Sequence, residues 1–151
     1  MHDRNWIAEH IPHQGTMCLL DQVVSWDTRG IVCRSATHCA ADNPLRAHGR
    51  LGAACAIEYA AQAIAVHGVL LQPQSGGLGF GLLTSARAVE LLVGRLDDLK
   101  TDLRVSAQRL HSDAQGALYS FALHAENSLL ARGRASLLLK ATLGSGREGL
   151  P

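Results

Sequence analysis

The apolar and polar positions of the chain predict one long central helix. Residues 51–69 read LGAACAIEYAAQAIAVHGV, with seven alanines and no proline, a composition that favours a helix. The segment lacks the charged stripe of a surface helix, and a helix that is apolar all round is buried. Its one carboxylate is Glu58. We therefore predict a buried helix over 51–69, with Gly68 as its C-cap.

Extended segments on both sides of this helix predict an antiparallel sheet. Residues 19–26 and 31–37 form a predicted hairpin around the polar turn 27–30, because runs rich in β-branched residues flank that turn. Four further strands are predicted at residues 80–92, 101–110, 117–125 and 129–139. Alternation of apolar and polar residues predicts the helix-facing set Leu103, Val105, Ala107, Tyr119, Phe121, Leu123, Ala131, Gly133 and Ala135. Small residues in the last strand would let the helix approach the sheet closely.

Shorter segments complete the predicted organisation. Residues 6–10 are expected to form a helical turn that stops before Pro12, and residues 72–77 a glycine-containing loop. An antiparallel sheet that curls around the apolar helix would cover it, with a second subunit completing the cover. The predicted fold class is therefore α+β, a dimeric hot-dog fold, with a single domain over 1–143 and a frayed tail at 144–151.

Composition and charge narrow the classes of function. The chain has 151 residues and a formal net charge of +1, so nothing predicts nucleic-acid binding. Glu58 and His67 interrupt the most apolar segment, and we expect no membrane span. The N-terminus has no apolar signal-peptide core, which indicates a cytoplasmic protein. The four cysteines lack CxxC spacing, so we expect reduced thiols and no metal or redox cofactor.

Glu58 is the first candidate for chemistry. Burying a carboxylate inside a helix costs free energy unless the carboxylate is paired with another group or takes part in the chemistry of a site. Because burial disfavours the charged form, we expect a raised pKa and a protonated side chain near neutral pH, as a general acid requires. The alternative is a structural glutamate held by hydrogen bonds. Gln62, one turn later, shares the helix face of Glu58 and is placed to orient its carboxyl.

Two motifs resemble the bacterial 3-hydroxyacyl-ACP dehydratases. Residues 11–14, IPHQ, and residues 17–23, MCLLDQV, resemble the LPHR…MLLLDRV opening of that family. Residues 57–63, IEYAAQA, resemble its central helix, which carries an acidic residue followed by an Ala-Gln pair. The most similar branch is the dehydratase-like one associated with aryl polyene clusters. The resemblance extends over residues 6–140, nearly the whole chain.

The resemblance implies an activity, the dehydration of a carrier-bound 3-hydroxyacyl thioester. This reaction needs a base for the C2 proton and an acid for the C3 hydroxyl. The family takes its imidazole from an HFP segment before the helix, where this chain has Asn43-Pro44. Either His13, His48 or His38 supplies the imidazole that takes the C2 proton, or the chemistry has been altered or lost.

The other implied groups lie in or beside the helix. Glu58 would protonate the leaving hydroxyl. The N–H groups of Gly52 and Ala53, at the helix N-terminus, would stabilise the enolate-like thioester oxygen. Acyl carrier proteins are acidic, so their docking requires cations at the tunnel mouth, for which Arg46 and Arg50 are the candidates.

Two further functions stay open from the sequence. A hot-dog thioesterase would use Glu58 to activate water or attack the thioester, with Asn43 polarising the carbonyl. In either enzyme, Asn43 and Gln62 would line the substrate site. A non-catalytic subunit that binds acyl chains or completes a heterodimer would explain the missing HFP histidine. The three hypotheses predict three outcomes with acyl thioesters: an enoyl product, a free thiol or neither.

Overall fold

The computed structural model of this chain describes residues 1–71 and 81–139. The loop predicted at 72–77 and the tail predicted at 144–151 lie outside the described residues. Two α-helices are present in the described part, α1 (Arg4–His10) and α2 (Ala56–Leu71). The strands are β1 (His2–Asp3), β2 (Gln22–Trp26), β3 (Gly30–Ser35), β4 (Gly81–Leu91), β5 (Leu103–Ser112), β6 (Gly116–Ala125) and β7 (Ser128–Leu139).

Within the described residues, these seven strands form one antiparallel sheet in the order β1-β2-β3-β5-β6-β7-β4. The predicted hairpin and the four later strands are confirmed, with ends shifted by one to three residues. Strand β1 was not predicted, since two residues carry no readable alternation. It pairs His2 with Val23 at the edge of β2. The chain entering α1 is thereby fixed to the sheet.

Helix α2 is the predicted central helix, with two corrections at its ends. It is preceded by a 3-10 turn over Ala53–Cys55 and runs on to Leu71. The prediction that Gly68 caps the helix is therefore wrong, because Gly68 lies inside it. The helix packs against β3, β5 and β6, so the sheet covers it as a hot-dog fold requires.

The face predicted to contact the helix is confirmed. Leu103, Val105, Tyr119 and Ala131 are among its buried residues, as are Ala107, Phe121, Leu123 and Ala135. Gly133 of β7 was predicted to let the helix approach the sheet closely, and the structure gives a different reason for its small size. A Cβ at Gly133 would lie 2.9 Å from Cζ of Phe121 and 3.1 Å from Cγ2 of Val89. The missing side chain therefore makes room for sheet side chains, and not for the helix.

The central helix is also long and apolar enough to qualify as a membrane span by length and composition alone. The qualifying window lies in Ala53–Leu71, and 56% of it is buried inside the molecule. The sequence argument that Glu58 and His67 rule out such a window is therefore wrong. The sheet packed against α2 instead identifies it as the core helix of the domain, since a core helix passes the same test.

His67 forms a buried polar contact that the sequence did not predict. A histidine this close to the end of the predicted helix is typical of a residue that complements the helix dipole, but the side chain of His67 is fully buried. Its Nε2 lies 2.7 Å from the carbonyl oxygen of Asp27, and its Nδ1 lies 2.6 Å from the hydroxyl of Tyr119. Because a carbonyl only accepts, Nε2 carries the hydrogen and Nδ1 accepts from Tyr119. The neutral ring is therefore fully satisfied, and burial lowers the pKa of His67.

This lowered pKa predicts that the protein loses stability as the pH falls. Between the folded-state and unfolded-state pKa values of His67, the unfolded chain binds a proton that the folded chain does not. The free energy of unfolding should therefore decrease as the pH falls below about 6.5, the ordinary histidine value. Denaturant unfolding of His67→Gln between pH 7 and 5 should show a smaller decrease. The control His111→Gln changes an exposed histidine, and equal pH slopes in both variants would contradict the assignment.

Candidate active site

Glu58 and His13 meet at the start of α2. His13 lies in the loop after α1, 45 positions before Glu58 in the sequence. The Nε2 of His13 is 3.2 Å from Oε2 of Glu58, and the two side chains are 27% and 33% exposed. The predicted carboxyl and one of the three predicted imidazoles therefore form a pair that solvent can reach. The Nδ1 of His13 is buried and has no partner within the described part of the chain.

Gln62 orients this pair. It is fully buried, and its Nε2 donates to Oε2 of Glu58 at 3.2 Å and to the carbonyl of Met17 at 2.8 Å. Its Oε1 accepts the N–H of Leu19 at 2.9 Å. One amide thus joins the helix to the segment that follows His13. The predicted orienting role of Gln62 agrees with this geometry, whereas its amide has no group left for a substrate.

The expectation that Glu58 has a raised pKa is wrong. The pKa of Glu58 is lowered, because the hydrogen bond from His13 favours the carboxylate more than partial burial disfavours it, with Gln62 adding to the effect. The sequence argument treated the helix as covered on every side, but the first turn of α2 leaves this side chain partly exposed. Glu58 is therefore ionised at neutral pH and cannot be a resting general acid.

A second polar network fixes the same segment from the other side. The carbonyl of Leu19 accepts from the hydroxyls of Ser35 at 2.5 Å and Thr37 at 2.8 Å. Thr37 Oγ1 lies 2.8 Å from the hydroxyl of Tyr59, which accepts from Nδ2 of Asn43 at 3.1 Å. Sequence reasoning missed this network. Polar residues at the end of an otherwise apolar β3 were the available signal.

Asn43 belongs to that network. Besides Tyr59, its Nδ2 donates to the carbonyl of Thr37 at 2.9 Å, and its Oδ1 accepts the N–H of Leu45 at 2.9 Å. The residue is buried. Its amide is therefore occupied within the chain, which leaves no free donor for the predicted contact to a thioester carbonyl.

The other two candidate histidines lie elsewhere. His48 is exposed and has a positive φ of 54° in the tight turn between Ala47 and Arg50. None of the contacts within the described residues joins it to Glu58. His38 is buried, with its Nε2 3.1 Å from the carbonyl of Leu99. Of the three imidazoles, the structure brings His13 to Glu58.

The start of the helix is bonded differently from the prediction. The N–H of Ala53 donates to the carbonyl of Gly94 at 3.2 Å, so the expectation of a free donor there is wrong. The neighbouring Gly52 forms a bridge to Arg95 and keeps open space where a Cβ would stand. Backbone contacts between 51–53 and 94–96 thus hold the N-terminus of the helix to the strand connection.

The two arginines predicted to meet a carrier protein also make contacts within the chain. Arg46 Nη1 lies 3.7 Å from Oδ2 of Asp97, a carboxylate that Arg95 also binds at 2.6 Å. The pKa of Asp97 is lowered, chiefly by the hydrogen bond from Arg95 and then by the N–H of Leu51. Arg50 is exposed and donates from Nη2 to the carbonyl of Gly94 at 3.3 Å.

Comparison with protein families gives one match. The family described as ApeP-like, ApeP dehydratase, matches residues 6–143, which is nearly the whole chain. No curated protein sequence matches the chain significantly. The match confirms the predicted resemblance to the dehydratase-like branch.

Solved structures with the same fold include dehydratases and thioesterases. The dehydratase heterocomplex ApeI:P from Xenorhabdus doucetiae matches with a TM-score of 0.80 at 22% identity, covering 95% of this chain and 97% of that chain. Zebra fish thioesterase superfamily member 2 matches with a TM-score of 0.64 at 14% identity, covering 90% and 94%. A hypothetical thioesterase from Streptococcus pneumoniae matches with a TM-score of 0.58 at 12% identity, covering 79% and 84%. These similarities confirm the hot-dog fold.

Proposed function

The chain belongs to the ApeP-like dehydratase family, and from that premise we propose that it dehydrates a carrier-bound 3-hydroxyacyl thioester to the enoyl thioester. The observation that carries this proposal is the contact of 3.2 Å between His13 and Glu58. An imidazole and a carboxylate in contact provide the two proton-transfer groups that β-elimination of water requires. Gln62 holds the carboxylate in place.

The ionised state of Glu58 reverses the roles expected from the sequence. Oε2 of Glu58 is engaged by His13 and Gln62, whereas Oε1 accepts no hydrogen bond from the described residues. In the proposed step, Oε1 takes the proton from C2 while His13, in the protonated form that the step requires, gives a proton from Nε2 to the C3 hydroxyl; the C3–O bond breaks and the hydroxyl leaves as water. The electron pair of the C2–H bond becomes the C2–C3 double bond. The proton on Glu58 then returns to His13 and restores the pair.

The test is an incubation of the purified protein with 3-hydroxyacyl and saturated acyl pantetheine thioesters. The proposal predicts an enoyl thioester from the first substrate and no release of thiol from the second. Release of free thiol would identify a thioesterase, and no product from either would identify a non-catalytic subunit. The thioesterase alternative has weaker support, because the amide of Asn43 is already bonded to Tyr59 and Thr37.

The proposed partner that delivers the substrate is an acyl carrier protein, with the reaction placed in the cytoplasm. Such a partner is acidic, so cations on this chain would guide the encounter. Arg50 keeps an exposed side chain beside the start of the helix and stays a proposed contact. Arg46 contributes less in this proposal, because Asp97 already pairs with it.

We further propose that the chain dimerises along β4. This strand pairs only with β7 in the described sheet, so its other edge presents unpaired backbone groups. Leu83 and Leu91, together with Leu92 just beyond the strand, are exposed. A long edge with exposed leucines favours pairing with another chain. The ApeI:P structure is a heterocomplex; for this chain we propose that the second subunit is a copy of itself.

Light scattering at micromolar concentration should show a homodimer for the wild-type chain. Leu83→Lys with Leu91→Lys should convert it to a monomer, because two charges would enter the interface. Leu110→Lys changes an equally exposed leucine on β5 and should leave the dimer intact. A wild-type chain that scatters as a monomer, or a dimer insensitive to the β4 variants, would contradict the proposal.

A further inference from the structure

The outer face of the sheet carries five arginines, here called the arginine face: Arg34, Arg87, Arg104, Arg132 and Arg134. Buried neighbours along the strands, which point inward, include Cys33, Val105, Ala131 and Ala135, and Arg87 shares the side of Arg134, with which it is paired. Alternation therefore places the arginines on the side away from the helix. Alternation in the sequence predicts outward positions for Arg104, Arg132 and Arg134, whereas only the strand order places Arg34 and Arg87 on the same face.

The arginines oppose one another across strand pairs. Arg34 stands directly opposite Arg104 on β3 and β5, and Arg87 stands directly opposite Arg134 on β4 and β7. Like charges in directly opposite positions destabilise a sheet. A salt bridge from Nη1 of Arg34 to Oδ2 of Asp102, at 2.7 Å, offsets the repulsion at Arg34. Arg132 forms a salt bridge with Glu90. Within residues 1–71 and 81–139, Arg104 and Arg134 have no carboxylate partner.

A groove lies on the same face of the sheet, and the strand register places Arg134 directly opposite its floor residue Ser120. It has a volume of about 500 Å³, and its floor is made of small outward side chains on three adjacent strands: Val32, Ser106, Ser120 and Ala122. Trp26 and Arg29 line its end at the β2–β3 hairpin. Asp27 also lines it, but its carboxylate accepts the N–H groups of Arg29 and Gly30 at 2.8 and 3.0 Å. The groove thus combines a floor of small side chains with Arg29 at one end and with Arg134 on the strand beside its floor.

Hydrogen bonds connect one end of the arginine face to the proposed site. The carbonyl of Arg34 accepts the N–H of Asp21 at 2.9 Å. Two residues earlier, Leu19 donates its N–H to Gln62, which binds Glu58. The Arg34–Arg104 end of the face is therefore connected to Glu58 through a short bonded segment at the beginning of β2.

We propose that the arginine face and its groove dock the acidic carrier protein. This inference rests on the proposed function, which brings that partner to the chain. A second copy of the chain would place arginines against arginines, so charge favours an acidic occupant over self-association. The like-charge pairs cost stability in the free protein, and the carboxylates of an acidic partner would offset that cost. Arg46, by comparison, is paired with Asp97 at 3.7 Å, and Arg50 donates to the carbonyl of Gly94.

The proposal is tested by binding of an apo acyl carrier protein that lacks tryptophan, which needs no catalysis. In a Trp6→Phe background, the fluorescence of Trp26 should change on binding, because Trp26 lines the groove. The affinity should fall as salt is raised, since the contacts are between exposed charges. Arg104→Glu and Arg134→Glu should each weaken binding by about tenfold or more. Lys100→Glu changes an exposed cation outside the arginine face with the same change in net charge, and it should leave binding unchanged.

The same variants separate docking from folding and from chemistry. Arg104→Glu puts a glutamate opposite Arg34, and Arg134→Glu puts one opposite Arg87, so Tm should stay equal or rise in both variants. Turnover of a pantetheine thioester should be unaffected, and only carrier-bound turnover should fall. Loss of binding in Lys100→Glu but not in the two arginine variants, no carrier binding by the wild type, or preferred binding of anionic vesicles or duplex DNA would overturn the proposal. Failure of the pantetheine assay with intact carrier binding would instead remove the proposed reaction.

Discussion

Replacing Glu58 by glutamine is expected to lower kcat by about 100-fold or more, the size of a lost proton-transfer group. The amide keeps an oxygen that can accept from Gln62 and His13, so the free energy of unfolding should change little. Glutamine cannot take the C2 proton through the free Oε1 position. Steady-state turnover of a 3-hydroxyacyl pantetheine thioester and denaturant unfolding measure the two effects separately.

The matched control for this change is Glu9→Gln, on the exposed side of α1, which should retain full turnover. His13→Ala should lose activity as Glu58→Gln does, whereas His48→Ala should stay close to wild type. A structural glutamate would give the opposite outcome, with a destabilisation of about 1–3 kcal/mol and full turnover of the folded protein. If His48→Ala and not His13→Ala abolished turnover, the pair assigned to the site would be wrong.

Replacing Gln62 by leucine is expected to lower the free energy of unfolding by about 2–4 kcal/mol, because buried groups left without partners cost roughly 1–3 kcal/mol each. The N–H of Leu19 and the carbonyl of Met17 would both lose their partner. The variant should also lose turnover, since Glu58 would lose an orienting donor. Urea unfolding measures the stability, and turnover is assayed well below the unfolding midpoint.

The control for this prediction is Gln14→Leu. Gln14 is exposed and donates to the carbonyls of Ala8 and Ile11, where water can replace it. The same chemical change at position 14 should cost far less stability. Equal midpoints for the two variants would show that the Gln62 amide does not hold the segment after His13.

The fold was largely predictable from the sequence, because its signals are local. An apolar run with a single carboxylate predicts a core helix, and alternation over 103–107 predicts an inward face. Both are confirmed by α2 and by the buried side chains of β5. The motifs around His13 and Glu58 similarly predicted the family, because each occupies a few consecutive residues. The edge strand β1 was missed, since two residues contain too little pattern.

The arrangement of the site was decided by the tertiary structure. Sequence left the source of the imidazole open among His13, His48 and His38, and only the packing of the loop after α1 onto α2 brings His13 to Glu58. The sign of the Glu58 pKa shift followed from that contact, because the hydrogen bond from His13 outweighs burial. The hydrogen bonds of His67 could not be predicted from the sequence either, since its partners Asp27 and Tyr119 are 40 and 52 positions away. Composition and spacing specify which faces are buried, whereas a pKa depends on distances between residues that only the folded chain brings together.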